Sequence, residues 1–187
     1  MTDIKPNSYY SSKWNLFLSG DNNALETIFS GHYNHLYNYG RKLTLDKTSV
    51  EDAIQELFID LIKYRSNISN TDNVKFYLFK SLRNKINSLR TESVELKFDI
   101  SDNSSEILQD DTYKGLKKQI DLLSSSEREI IYLKFYNNLK NAEIAEVLDL
   151  KYQTVANHLQ NAIVKLRKSG KLNIFCLFIN NLTKKQI

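Results

Sequence analysis

Apolar residues recur along most of this chain at intervals of three and four positions, the spacing that places them on one face of an α-helix. In VEDAIQELFIDLIKY, which Ser49 can cap, they form one stripe: Ile54, Leu57, Phe58, Leu61 and Ile62. In NALETIFSGHYNHLYNYGRKL, which Asp21 can cap, the apolar residues of the stripe are Leu25, Ile28, Phe29, Leu36 and Tyr39. In VKFYLFKSLRNKINSLR they are Phe79, Leu82, Ile86 and Leu89. The first half of the chain is therefore predicted to be a bundle of amphipathic helices.

The second half shows the same period in shorter pieces. A short helix is expected over Tyr113–Leu123, and Ser124 with Glu127 forms a capping box that opens the next one, REIIYLKFYN. Two helical patterns then follow in AEIAEVLDLKYQTVANHLQNAIVKLRK, joined by a break of three or four residues. Their inward positions are Ile144, Ala145, Leu148, Leu150, Val155, Leu159, Ala162 and Leu166. This arrangement predicts a helix-turn-helix, whose second helix can lie in the major groove of DNA.

The outward face of that second helix is rich in amides. If Val155 and Leu159 point inward, Val164 and the amide residues point away from the core. An amide offers a donor and an acceptor side by side, as base edges require. The predicted DNA-reading residues are Gln153, Thr154, Asn157, Gln160 and Asn161, and the predicted phosphate contacts are Lys140, Lys151, Lys165, Arg167 and Lys168. The alternative is a plain helical hairpin with a polar outer face.

Composition supports an all-α fold. The chain has 187 residues, of which 41% are hydrophobic, but only 5 glycines and 1 proline with which to make turns. It has no apolar run near the ~20 residues that span a bilayer and no apolar signal-peptide core at its start. A single cysteine, Cys176, excludes an internal disulfide and a site with several thiolate ligands. We expect a cytoplasmic protein that is not inserted in a membrane.

Charge is distributed unevenly. Residues 1–90 carry 12 basic and 9 acidic side chains, residues 91–112 carry 1 and 7, and residues 113–187 carry 13 and 6. Two basic blocks flanking an acidic connector indicate two modules that each meet a polyanion. An ordinary basic surface with a solvated linker is the alternative. The expected organisation is a module at 10–91, a flexible linker at 92–112, a second module at 113–170 and a C-terminal tail at 171–187.

Two surfaces of the first module are candidate binding surfaces. The residues opposite the apolar stripe are mostly acidic: Asp52, Gln55, Glu56 and Asp60. Asp52 also falls within the first helical turn after Ser49, where the helix dipole alone favours an acid. The later basic helix interleaves aromatic side chains with cations, which suits single-stranded DNA because base stacking and backbone charge then act together. Its DNA-side candidates are Lys75, Tyr77, Lys80, Arg83 and Asn84.

A histidine pair raises a different possibility. His32 and His35 are three residues apart and could share a helical face with Glu26, which would suit a metal-dependent enzyme. A metal site needs further ligands and supporting contacts, and the sequence shows neither. We therefore expect no metal, no cofactor and no catalytic residues. Changing both histidines to alanine would discriminate this reading from a DNA-binding one.

Several segments of the chain resemble a known family. LSSSEREIIYLKFYNNLKNAEIAEVLDLKYQTVANHLQNAIVKLRK is similar to region 4 of RNA polymerase sigma factors of the extracytoplasmic-function (ECF) group within the sigma-70 family. GDNNALETIFSGHYNHLYNYGRKL, EDAIQELFIDLI and FYLFKSLRN resemble successive parts of sigma region 2. TVANHLQNAIVKLR is similar to the FecI-like subgroup, which membrane-linked anti-sigma proteins often control. Output domains of response regulators share the region 4 pattern.

The resemblance implies a function that involves no covalent chemistry by this chain. It implies that the acidic face docks on the clamp of the largest subunit of core RNA polymerase. It implies that the basic helix and the loop Ser66–Asn73 open the promoter −10 element, while the helix-turn-helix reads the −35 element. An anti-sigma partner is implied by the subgroup alone. The rival is a helix-turn-helix response regulator, which would need an α/β receiver that residues 1–90 do not show.

Five positions depart from the family pattern. Asn138 and Asp149 replace residues that are often glycine, and both tolerate left-handed backbone. Lys140 and Lys151 replace serines that cap helices, at a cost of ~1 kcal/mol for each helix unless Asn141 or Asp149 caps instead. A basic residue expected near Ala156 is also missing. These departures affect the promoter sequence more than the fold.

Overall fold

The computed structural model describes residues 7–44, 46–88, 120 and 122–168. The described residues fall into two compact units, one within Asp3–Glu95 and one within Leu96–Ile187. They form helices joined by short loops, with no β-strand among them, so the predicted all-α class is confirmed. No helix in this part of the chain is both long enough and apolar enough to cross a bilayer. Several predicted segments lie outside the described residues: Leu89, Arg90, the linker, most of Tyr113–Leu123 and the tail.

The first unit consists of four α-helices and one turn of 3₁₀-helix. The α-helices are α1 (Asn7–Leu18), α2 (Asn22–Leu43), α3 (Lys47–Lys63) and α4 (Val74–Ser88). The 3₁₀ turn, Arg65–Asn67, opens the connection between α3 and α4. Asp21 caps α2 as predicted, because its side chain accepts hydrogen bonds from the backbone N–H groups of Asn23 and Ala24.

The predicted cap of α3 is wrong. Asp46, not Ser49, caps the helix by accepting from the backbone N–H groups of Thr48 and Ser49 at 3.3 and 3.1 Å. The helix therefore starts earlier than Ser49, which lies within its first turn. Asp52 is consequently beyond the first turn, and the dipole explanation for its acidity loses most of its force.

The core of the first unit is aromatic at its centre. Trp14 of α1 is fully buried, with its ring 5.0 Å from that of Tyr77 on α4. Tyr39 of α2 packs 4.9 Å from Phe79 of α4. Where α2 meets α3, a Cβ on Gly40 would lie 2.6 Å from a methyl group of Val50, so only glycine permits this approach. The two aromatic contacts hold α4 against both α1 and α2, and the Gly40–Val50 contact holds α2 against α3.

The apolar stripe of α3 is confirmed at four of its five positions. Ile54, Leu57, Phe58 and Leu61 are buried, but Ile62 is 53% exposed. At 100° per residue, Ile62 lies about 80° around the helix from Ile54, beyond the edge that α2 and α4 cover. Ile62 was therefore wrongly assigned to the core.

The second unit contains the predicted helix-turn-helix. Its helices are α5 (Ser125–Ile131), α6 (Asn141–Leu148) and α7 (Tyr152–Lys168), with a π-helical turn at Tyr132–Tyr136. The predicted Ser124–Glu127 capping box is present, with hydrogen bonds of 2.7 and 3.2 Å. Val155, Ala162 and Leu166 of α7 are buried as predicted, together with Ile144, Ala145 and Leu148 of α6. Leu150 and Leu159 are only half-buried.

Both predicted left-handed positions are confirmed, with φ of 56° at Asn138 and 54° at Asp149. The proposed substitute caps are wrong. Asn141 is the first residue inside α6, and Asp149 closes α6 at its C-terminal end instead of capping α7. The backbone N–H of Lys140 instead donates to the carboxylate of Glu143 at 2.7 Å, which supplies half of a capping box without a serine.

Candidate nucleic-acid and partner interfaces

The outer face of α7 presents its amides to solvent. Because Val155 is fully buried beneath them, Gln153, Asn157, Gln160 and Asn161 are exposed, and Thr154 is half-buried beside them. The side-chain nitrogen of Gln153 donates to the side-chain oxygen of Asn157 at 3.0 Å. The face therefore has the composition and orientation that major-groove contact requires.

The cations around α7 are not equivalent. Lys140, Lys151 and Arg167 are exposed. Lys165 Nζ lies 2.7 and 2.9 Å from the two carboxylate oxygens of Glu127, which is buried under α7. Burial opposes ionisation of Glu127, but hydrogen bonds from Lys165 and Ser124 hold the pKa of Glu127 below its usual value. The charge of Lys165 is thus engaged within the unit, while the side chain of Lys168 lies outside the described part.

One exposed residue beside this face was not among the predicted DNA contacts. Tyr152, the first residue of α7, is 57% exposed and adjoins Gln153. Val164 is exposed as predicted, on the same side of the helix as the amides. In the sequence, Tyr152 is an aromatic residue immediately after the break between the two helices. That position does not distinguish an exposed tyrosine from a buried one.

The exposed face of α3 combines acidic and apolar groups. Asp52, Gln55 and Glu56 are exposed and Asp60 is half-buried, as their position opposite the stripe requires. Ile59 is 60% exposed and lies among them, with Ile62 further along the same face. Neither isoleucine was among the predicted contacts. Helical spacing alone does not show whether an apolar residue at the edge of the buried stripe is covered by a neighbouring helix or exposed to solvent. An apolar centre bordered by charge is typical of a protein-binding surface.

A cation from α4 reaches this acidic face. Lys85 Nζ lies 2.7 Å from Asp60 Oδ2 and 3.5 Å from Glu56 Oε2. Partial burial opposes protonation of Lys85, but the hydrogen bond and charge of Asp60, with the charge of Glu56, raise the pKa of Lys85 above its usual value. Lys85 is therefore turned toward α3, where it fixes the position of the Asp60 carboxylate at one side of the acidic face.

The five predicted DNA-side residues of α4 do not share one surface. Lys80, Arg83 and Asn84 lie on the outer side with Phe76, whose ring is 5.8 Å from Lys80 Nζ. Tyr77 instead packs on Trp14. Lys75 falls on the inner side of α4, where burial lowers its pKa to about 8. The outer group thus contains three of the five predicted residues and one aromatic ring that was not among them.

Comparison with known proteins identifies both units. Residues 28–94 match the family model described as sigma-70 region 2, and residues 114–166 match the one described as sigma-70, region 4. The two matches together cover more than half of the chain, in the order of the two units. The chain belongs to the sigma-70 family. It is a sigma factor, which binds core RNA polymerase and directs promoter-specific initiation of transcription.

Curated relatives of this sigma factor agree with that assignment. It is 27% identical over 149 residues to the RNA polymerase sigma factor SigV of Bacillus subtilis, covering 76% of this chain and 89% of that protein. It is 26% identical over 153 residues to the ECF RNA polymerase sigma factor SigL of Mycobacterium tuberculosis, covering 76% and 86%. The response-regulator alternative is not favoured, because the region 2 match occupies the part where a receiver would lie.

Solved structures confirm the fold of the sigma factor. CnrH in complex with the cytosolic domain of CnrY aligns with a TM-score of 0.60 at 18% identity, covering 87% of this chain and 96% of that chain. RpoE in complex with the anti-sigma factor NepR from Bartonella quintana aligns with a TM-score of 0.56 at 18% identity, covering 79% and 96%.

The histidine pair of the sigma factor lies inside region 2. His32 is buried, its Nδ1 is 2.9 Å from the carbonyl oxygen of Ile28, and its ring meets the edge of Tyr10 at 4.4 Å. Burial lowers the pKa of His32 to about 4, and burial with the nearby charge of Lys75 does the same for His35. No group of three possible metal ligands occurs within the described ranges. The pair is part of the packing between α1, α2 and α4.

Proposed function

We propose that this sigma factor docks on the clamp of the largest polymerase subunit through the exposed face of α3. That face, the α3 surface, consists of Asp52, Gln55, Glu56, Ile59, Asp60 and Ile62. The observation that carries the proposal is the exposure of two isoleucines among acids on a single helical face. Fully burying an exposed isoleucine contributes about 1.5–3 kcal/mol, and these two side chains, at 60% and 53% exposure, can gain roughly half of that before the costs of association are deducted. The acids set the orientation and rate of docking more than its affinity.

We propose that the outer side of α4 holds the non-template strand of the −10 element. Arg83 and Lys80 supply positive charge to the backbone, and Phe76 offers a ring on which a base can stack, at about 1–3 kcal/mol per base. Unstacking a base costs a few kcal/mol, so such a platform must be in place beforehand. Lys75 and Tyr77 are better explained as packing residues, since burial and Trp14 respectively engage them.

We propose that α7 enters the major groove of the −35 element. Its first two turns direct Gln153, Thr154 and Asn157 at base edges, while Lys140, Lys151 and Arg167 reach phosphates. Gln160 and Asn161 extend the same face. Lys165 is better explained as the partner of Glu127, because a buried carboxylate left without its cation would destabilise the unit.

We propose an anti-sigma partner of the kind seen in the FecI-like subgroup, acting on a sigma factor located in the cytoplasm. Two observations support this. The segment TVANHLQNAIVKLR is similar to that subgroup, and the solved structures of RpoE with NepR and CnrH with CnrY share this fold.

Purified core polymerase with and without this protein tests the proposal on genomic fragments. New transcript starts are expected only when the protein is present. The Gln55→Ala/Glu56→Ala variant should associate with core more slowly and bind it more weakly while retaining its helical circular dichroism. Glu26→Ala/Asn34→Ala, two exposed changes on α2, should bind as wild type does. Unchanged binding by the α3 variant would refute the assignment of this surface.

A further inference from the structure

Two exposed amides on α7 are joined to each other. Gln153 Nε2 donates to Asn157 Oδ1 at 3.0 Å, one helical turn further along. Both residues lie in the first two turns, and the fully buried Val155 between them fixes the side of the helix that they occupy. Water competes for such an exposed hydrogen bond, so the bond adds little to stability. Its main consequence is the orientation of the Gln153 amide.

The hydrogen bond leaves one edge of Gln153 available. A side-chain amide has one N–H on the same side as its carbonyl oxygen and one on the opposite side. When the opposite N–H donates to Asn157, the oxygen and the remaining N–H lie side by side on the other edge of the amide. That edge offers one acceptor and one donor. A glutamine without a neighbouring acceptor would have to lose its rotamer freedom upon binding to offer the same edge.

Only one base presents the complementary pair in the major groove. Adenine offers N7 as acceptor next to the N6 amino group as donor, and glutamine binds both. Guanine offers two acceptors there, so the carbonyl oxygen of Gln153 would face O6 without a proton between them. Cytosine offers only a donor, and thymine offers an acceptor and a methyl group.

We propose that Gln153 is a specificity-determining residue that reads one adenine of the upstream promoter element, and that Asn157 is a positioning residue for Gln153. This inference rests on the proposed function, in which α7 occupies the major groove of the −35 element. It goes beyond that function by assigning one base to one side chain. It also assigns Asn157 a role through its neighbour in place of an independent base contact.

The test uses holoenzyme, formed from core polymerase and the full chain, on a duplex promoter fragment taken from a mapped transcript start. Each adenine on either strand of the upstream element is replaced in turn by guanine, and separately by 7-deazaadenine, which lacks the N7 acceptor. Affinity is measured at constant salt, and the protected region is footprinted. At one adenine, wild type is expected to lose roughly 5- to 150-fold with guanine, the range for a bidentate contact.

The variants separate reading from positioning. Gln153→Ala should abolish discrimination at that adenine while leaving the effects of the other replacements unchanged. Asn157→Ala should reduce the same discrimination, and Asn157→Asp should restore it, because a carboxylate oxygen accepts the same N–H. Glu146→Gln, an exposed change on α6 outside the face of amides, is the control that should leave this position unaffected.

The outcomes distinguish the inference from the function on which it rests. If wild-type holoenzyme protects the upstream element and Gln153→Ala discriminates at every position as wild type does, the inference fails and the function stands. If Asn157→Ala discriminates fully, the positioning role fails. If wild type leaves the upstream element unprotected and insensitive to its sequence, the groove assignment of α7 fails and the inference fails with it.

Discussion

Lys85 of α4 is bound to Asp60 of α3, with Nζ 2.7 Å from Oδ2. The contact joins the helix proposed to hold DNA to the surface proposed to hold polymerase. In the sequence, Lys85 belongs to a run of cations without a single acid, so its direction could not be deduced from its neighbours. The contact also holds the Asp60 side chain in position, at one side of the α3 surface, before any partner binds.

The Lys85–Asp60 pair should show measurable but small coupling. Lys85→Met and Asp60→Asn should each lower the free energy of unfolding of the first unit by about 0.5–1 kcal/mol, because both groups are partly exposed. The double variant should lose less than the sum of the two, since the contact between Lys85 and Asp60 can be lost only once. Urea titration followed by the fluorescence of Trp14, the single tryptophan, measures all three. Additive losses would show that the ion pair contributes nothing.

Lys80 and Lys85 should differ in their effect on DNA. Lys80 lies on the outer side of α4, whereas Lys85 faces α3. With an oligonucleotide of the non-template strand, Lys80→Met should lower the dependence of log affinity on log salt by roughly 0.7, the value for one single-strand phosphate contact. Lys85→Met is the matched control and should leave that slope unchanged. Equal slopes for both variants would contradict the assignment of the outer side.

Lys75→Met should stabilise the first unit. Burial lowers the pKa of Lys75 to about 8, so near neutral pH the folded chain carries a charge in a place that disfavours it. Methionine has a similar shape without the charge, and the free energy of unfolding should rise by about 1–3 kcal/mol. The same titration measures this, and holoenzyme affinity for the −10 strand should not change. Weakened DNA binding would restore Lys75 as a phosphate contact.

Acid should weaken the first unit through its histidines. His32 and His35 have pKa values lowered to about 4 by burial, against about 6.5 when unfolded. The unfolded chain thus binds more protons between these values, so the histidines do not reduce the free energy of unfolding above pH 6.5 and reduce it progressively as the pH falls toward 4. Trp14 fluorescence in urea at pH 7.5, 6.5 and 5.5 measures the decline. His158→Gln, in the other unit, should leave it unchanged, and a stability independent of pH would contradict the burial of the pair.

Much of the architecture could be predicted because it depends on local patterns. Helical periodicity indicated α2, α3, α4, α6 and α7, and the Ser124–Glu127 box is a contact three residues apart. The left-handed positions Asn138 and Asp149 followed from backbone preference alone. These features need only information within one or two turns of chain.

The sequence was a poorer guide to the direction of individual side chains. Lys75 and Lys80 share a helix and a charge, yet tertiary packing directs one inward and the other outward. Ile62 belongs to the apolar set of α3 by spacing, but whether its edge is covered depends on how far α2 extends over it. The partner of Lys165, Glu127, lies 38 positions away, beyond any local rule.

The affinity of core polymerase for an Ile59→Ser/Ile62→Ser variant tests most directly whether the α3 surface binds the enzyme. Both side chains are exposed, so the variant should fold as wild type does while its affinity falls at least tenfold. Leu16→Ser, an exposed apolar residue on α1, is the matched control and should bind normally. Wild-type affinity in the double variant, with its helical content intact, would contradict the account.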